Sequence, residues 1–177
     1  NSLFDIYNCP ESNVTGVWVD ILPEADVDYE GSSGDLCAIT DDVWVSPTGS
    51  DYTGDATQNN PIKTIKYAFE IIAPSDDNSI TIHLDEGTYS PSNTNETFLI
   101  QMISNVNLVG AGEELSILDA EQIDRVITIE DCENIIISDL TITGGFGGGI
   151  NLFDSNPTFT NVIISGNTGN WSGAVYL

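Results

Sequence analysis

The sequence predicts an all-β solenoid, and three observations carry that prediction: a phrase that recurs at coil length, many short strands separated by turn residues, and a single helix ahead of them. Asp139-Leu-Thr-Ile-Thr-Gly aligns with Asn161-Val-Ile-Ile-Ser-Gly, and Asn134 with Asn156, both 22 residues apart; Gly149-Ile-Asn-Leu-Phe aligns with Gly173-Ala-Val-Tyr-Leu at 24. A unit of that length holding two or three short strands cannot bury its own apolar face. It must stack on its neighbours, each strand pairing in parallel with its counterpart one coil away.

Taken in order, residues 1–42 read as an N-terminal extension. "VTGVWVDIL" and "DLCAIT" are strand-like pieces around an acidic Gly/Ser spacer, and the segment is a candidate for linking subunits by strand addition. Cys9 and Cys37 both fall inside it, and a disulfide between them would restrain an otherwise loosely attached segment. Cys132 lies among the repeats and reads as a small buried filler.

From residue 43 onward the coils begin. Asp42 to Ser46 reads as a strand, followed by the turn-rich "PTGSDYTGDATQ". Asn60 as N-cap and Pro61 at the first helical position open an amphipathic helix over Pro61 to Ala73, with Ile62, Ile65, Phe69 and Ile72 on one face and Lys63, Lys66 and Glu70 on the other. Such a helix covers an apolar surface on one side only, so it is expected to cap the first coil. "SITIHLDEGTY" then alternates Ile80, Ile82 and Leu84 inward with Thr81 and His83 outward. Short strands follow in "NVNLVGAG", "RVITIED", "NIIISDLTITGG", "GGINLFD", "NPTFTNVIISGN" and "SGAVYL". Asn105, Asn134 and Asn156 recur at one corner, where asparagine tolerates a left-handed backbone and stacked amides can bond from coil to coil. The closing "SGAVYL" stops in mid-coil, so the C-terminal end of the 43–177 domain is expected to be uncapped.

The run "SPTGSDYTGDATQNNPIKTIKYAFEII", then "ITIHLDEGTYS", then "NVNLVGAGEELSILDA" resembles the start of right-handed parallel β-helix proteins of the pectin-lyase-like superfamily. The resemblance covers roughly Val43 to Leu177. It implies a right-handed parallel β-helix, and it precedes lyases, esterases, hydrolases and non-catalytic surface proteins alike. The enzymes of that superfamily carry an Arg or Lys base with calcium-holding aspartates, or paired Asp with Arg, or Asn-Thr-Asp, Asp-Asp, Gly-His-Gly and Arg-Ile-Lys blocks. None of those blocks occurs in this sequence.

Charge narrows the partners. Twenty-eight acidic residues face only Lys63, Lys66 and Arg125, a formal net charge of −25, so nucleic acid and anionic lipid surfaces are poor partners. Asn1 opens without a basic-then-apolar leader and no apolar run is long enough to span a membrane, which suits a secreted, trimmed chain. The sequons at Asn13, Asn95 and Asn170 are compatible with that location.

Candidate chemistry is sparse. Asp131 and Asp154 stand 23 residues apart, so they should stack on adjacent coils with Glu133 beside them, an oxygen set suited to Ca²⁺. His83 is the single histidine and reads as solvated; Arg125 reads as paired with Asp124 or another carboxylate. Gly144, Gly145 and Gly147 to Gly149 read as tight turns, since no helix or lysine follows to make a phosphate cradle. Trp171 and Tyr176 are candidate sugar platforms. The expectation is a non-catalytic, extracellular or cell-surface structural or adhesive domain, self-associating or continued by further coils. A carbohydrate-active enzyme and a carbohydrate-binding module are the alternatives.

Overall fold

A computed structural model describes residues 38–169 and 173–176. Strand β1 (Val43–Val45) is followed by the helix α1 (Ile65–Ile71). Then come β2 (Ile80–Leu84), β3 (Gly87–Tyr89), β4 (Ile100–Gln101), β5 (Val106–Val109), β6 (Ser116–Asp119), β7 (Ile127–Glu130), β8 (Ile136–Thr143), β9 (Ile150–Phe153), β10 (Thr158–Ile164) and β11 (Val175–Tyr176). Every named strand pairs in parallel with a strand one coil away. The coils are β2–β3–β4, β5–β6–β7, β8–β9 and β10–β11, with β1 leading them.

Three faces enclose the core. One stacks β1, β2, β5 and the first half of β8; the second stacks β3, β6 and the second half of β8, with β10 running beneath both halves; the third stacks β4, β7, β9 and β11. On each face the inward residues form a column that follows the strand register. Val43, Ile82, Leu108 and Ile137 stand in one such column and all are fully buried. Each coil closes only against its neighbour, so the column is one continuous core.

The corner between the first two faces accounts for most of the uneven coil length. Between β5 and β6 it is a loop, Gly110 to Leu115; in β8 it is the single residue Asp139 at φ 57°, and in β10 it is Asn161 at φ 51°. The register accordingly advances 29 residues from Leu108 to Ile137 but 22 from Ile137 to Phe159. The 22-residue spacing expected from the sequence is the one observed between β8 and β10. The last alignment moves by one: Ile150 pairs with Val175, an advance of 25, and the Gly149 amide donates to the Gly173 carbonyl.

The helix is shorter than expected. Pro61 and Ile62 stay extended, because Ile62 closes onto β1 through an amide donated to Trp44 and a carbonyl accepting from Ser46. Thr64, not Asn60, is the N-cap, and its hydroxyl accepts from the Tyr67 amide at 3.1 Å. Ile65 and Ala68 are its buried residues and share the core with Val43 and Val45. The coil-bearing unit begins at Ile39, which bridges to Ile72, a little before the expected Val43. The Cys9–Cys37 pairing, the sequons at Asn13 and Asn170, and Trp171 lie outside the described residues.

Candidate functional site

The loop after β1 and the loop between β3 and β4 meet at α1 and form a cleft of about 510 Å³ there. Gly49 lets the first loop fold tightly: a Cβ there would sit 2.3 Å from the Ile62 carbonyl oxygen. That close approach brings Asp51 onto the chain ahead of the helix. Its Oδ1 accepts from the Lys63 and Thr64 amides at 2.7 and 2.9 Å, and its Oδ2 from the Thr64 hydroxyl at 2.8 Å. From the second loop, buried Glu96 accepts from the Ile65 amide at 2.7 Å and the Lys66 amide at 3.1 Å. Two carboxylates from two coils thus satisfy the amides that a helix start leaves open. Burial pushes the Glu96 carboxyl above its ordinary value, against the pull of those amides.

With these carboxylates engaged, the cleft is lined by Lys63, Lys66, Tyr52, Tyr67, Asn95 and Thr97, together with Glu70 on its rim. Tyr52 is 75% exposed, an aromatic face turned to solvent. Among the described residues the sole charged contact within 4.0 Å is His83 with Asp42, so no described carboxylate holds either lysine head. Two of the three cations of a chain with net charge −25 therefore line one depression. Ammonium groups, hydroxyls and an exposed ring are binding chemistry.

The residues singled out from the sequence land elsewhere. Asp131 and Asp154 do occupy equivalent corners of adjacent coils, at φ 53° and 41°, and the Asp131 amide donates to the Phe153 carbonyl at 3.2 Å. Glu133 is exposed, its amide held by the Ser104 hydroxyl. Among the described residues no three His, Cys, Asp or Glu side chains gather as a metal-holding group, so these three are not brought together as one. Cys132 is buried and free, its thiol near the Met102 and Glu130 carbonyls.

His83 is not merely solvated. Its ring stacks on Trp44 at 4.6 Å with an 18° interplanar angle, and Nε2 lies 3.4 Å from Asp42 Oδ2. Trp44 and His83 are register partners of β1 and β2, which a sequence reading recovers only by aligning "DVWVS" with "ITIHL". Arg125 also departs from expectation. Its Nε donates to the Gly147 carbonyl at 3.1 Å on the next coil, and what meets Asp124 is its backbone amide. The expected ion pair is replaced by a clasp on the glycine turn, because Gly147 at φ 95° presents its carbonyl beside the guanidinium. Tyr176 is 47% exposed in β11, distant in sequence from the cleft.

Stacked parallel coils around one core define a parallel β-helix protein. Within it, residues 47–116 match the family described as "Protein of unknown function (DUF1565)". That match runs from the loop after β1 to the start of β6 and includes every residue lining the cleft. No curated protein matches the chain.

Proposed function

We propose that this chain is a non-catalytic structural or adhesive β-helix domain that works outside the cell or at its surface, within a self-associating assembly. The observation that supports this reading is where the chemistry-bearing side chains are engaged. Asp51 and Glu96 hold the helix, Arg125 clasps the next coil, and His83 lies on Trp44. Asp76, Asn105 and Asn134 join three successive corners by side-chain bonds of 3.1 and 2.8 Å. These groups brace coil against coil, which is what a load-carrying solenoid needs. An acidic exterior at −25 suits saline surroundings, where salt or divalent ions screen self-repulsion. Light scattering with negative-stain imaging tests the reading. It is run with and without calcium, because Asp131 and Asp154 repeat at adjacent corners. Ordered oligomers are expected; a clean monomer at every concentration in both conditions refutes self-association.

The cleft favours a second reading, a carbohydrate-binding role, with Tyr52 as platform and Lys63 and Lys66 as donors. Titrating neutral and acidic oligosaccharides against the chain and its Lys66→Ala variant, read by tyrosine fluorescence, tests it. Binding that the variant leaves unchanged would place any sugar site elsewhere.

A further inference from the structure

We propose that the cleft against α1 takes an uncharged polyhydroxylated ring, a neutral saccharide, and that Lys66 and Glu70 grip one of its hydroxyls between them. The inference rests on the carbohydrate-binding reading above and says which class of sugar the cleft selects. Charge points to it first. Lys63 and Lys66 are matched in the lining by Asp51 and Glu70, and the buried Glu96 lies on the loop that supplies Asn95 and Thr97. The depression is therefore not cationic, and the chain around it carries a net charge of −25. A uronate or a sulfated sugar meets like charge both on approach and at the site; an uncharged ring does not.

The division of donors and acceptors points the same way. Asp51 spends its carboxylate on the Lys63 and Thr64 amides and the Thr64 hydroxyl, and Glu96 is spent on the Ile65 and Lys66 amides. Glu70 is the lining carboxylate not engaged by backbone amides. It stands one turn after Lys66 on the same side of α1, and both side chains are exposed. Lysine ahead of glutamate is the weaker order for such a pair, and the two heads form no ion pair with each other. An ammonium only donates and an ionised carboxylate only accepts, whereas a hydroxyl does both through one oxygen. A sugar hydroxyl set between them accepts from Lys66 and donates to Glu70. A carboxylate has no proton for Glu70, and an ammonium has no lone pair for Lys66.

The walls are fixed before any ligand arrives. The Tyr52 and Thr53 amides donate to the Ser50 hydroxyl at 3.2 and 3.1 Å, and the Gly54 amide to the Ser50 carbonyl at 2.8 Å. The backbone under Tyr52 is thus braced while its ring stays 75% exposed. Across the cleft, Glu96 pins the loop bearing Asn95 and Thr97 to α1. A ring on a fixed backbone offers an apolar face to the C–H face of a sugar, and binding costs little ordering of either loop.

Isothermal titration calorimetry of the full 177-residue chain is the test, with short oligosaccharides of glucose, mannose, galactose and N-acetylglucosamine and with an oligogalacturonate, at low and high salt. A neutral probe is expected to bind more tightly than the oligogalacturonate, with an affinity that salt leaves unchanged. Tyr52→Ala and Glu70→Ala should each weaken it at least about tenfold with the circular dichroism of the fold unchanged, since both side chains are exposed. The sign at Glu70 decides the class, because in a site for acidic sugars removing that carboxylate relieves repulsion and tightens binding. An oligogalacturonate that outbinds every neutral probe, or that Glu70→Ala tightens, overturns the neutral class and leaves carbohydrate binding standing. A neutral probe whose affinity is indifferent to either variant overturns the assignment to this cleft. No binding of any probe overturns this inference and the carbohydrate-binding reading together.

Discussion

Glu96→Gln separates two opposed effects of one buried carboxylate. Glu96 is 3% exposed and accepts three amides, from Ile65, Lys66 and Thr97 at 2.7, 3.1 and 3.2 Å. Glutamine keeps one carbonyl oxygen for the Ile65 amide but turns an NH₂ toward the other two, which are donors and cannot accept it. A hydrogen bond to a charged acceptor contributes about 1.5–3 kcal/mol, and removing the charge relieves its burial cost, so a net loss of about 1–2 kcal/mol at neutral pH is expected. The pH dependence gives the second readout. Burial raises the folded carboxyl above its ordinary 4.5, so the folded state binds that proton more tightly than the unfolded one. Its contribution is fully present below pH 4.5 and is lost as pH rises through the higher folded value. Wild type minus variant should therefore widen as pH is lowered toward 4.5. Asp55, Glu121 and Asp139, whose carboxyls hydrogen bonds lower, slope the other way, but both proteins share them and the difference cancels them. Urea denaturation at a series of pH values reads both effects. Equal midpoints at neutral pH together with parallel pH profiles would refute a charged, helix-holding Glu96.

Three further outcomes follow from the same geometry. Asn105→Ala should cost about 2–3 kcal/mol in urea midpoint, since it removes the bonds to Asp76 and Asn134 and leaves a β-carbon at φ 64°. Gly110→Ala puts a Cβ 2.1 Å from the Asp139 carbonyl oxygen, so thermal melting should fall by an equivalent of at least about 1–3 kcal/mol even though no positive φ is involved. Ile137→Ala, fully buried between Leu108 and Phe159, should lose about 2–5 kcal/mol, and unchanged melting would mean the column is not the core.

How far the sequence could be read follows from the range of the interactions. Strand alternation in "ITIHL" and the 22-residue echo of Asp139 at Asn161 are local or periodic, and both reappear in the fold. The helix start was missed because its decisive partners are remote: Asp51 lies 13 residues before Thr64, and Glu96 lies 31 after Ile65. Asn60-Pro61 is a sound local signal that loses to the bridge between Ile62 and β1. The cleft was hidden for the same reason, since Tyr52, Lys66 and Asn95 come from three separate stretches. Arg125 was misassigned because a charge-pair expectation ignores that a glycine turn one coil away offers its carbonyl first.

A strictly repeating acidic solenoid faces an electrostatic problem, because equivalent residues stack and identical carboxylates would repel down each corner. At two corners an amide follows the carboxylate instead. Asn105 donates to Asp76 and Asn134 to Asn105, while Asn161 donates to Asp139 at 2.8 Å and holds that carboxyl below its ordinary value. The backbone demand is met as well, since Asn105, Asn134, Asp139 and Asn161 all sit at positive φ, a conformation that Asn and Asp tolerate better than other side chains. One residue type therefore turns the chain, binds the next coil and avoids adding a charge to the stack. That is a physical reason for the phrase to repeat with Asn in it in a chain of net charge −25.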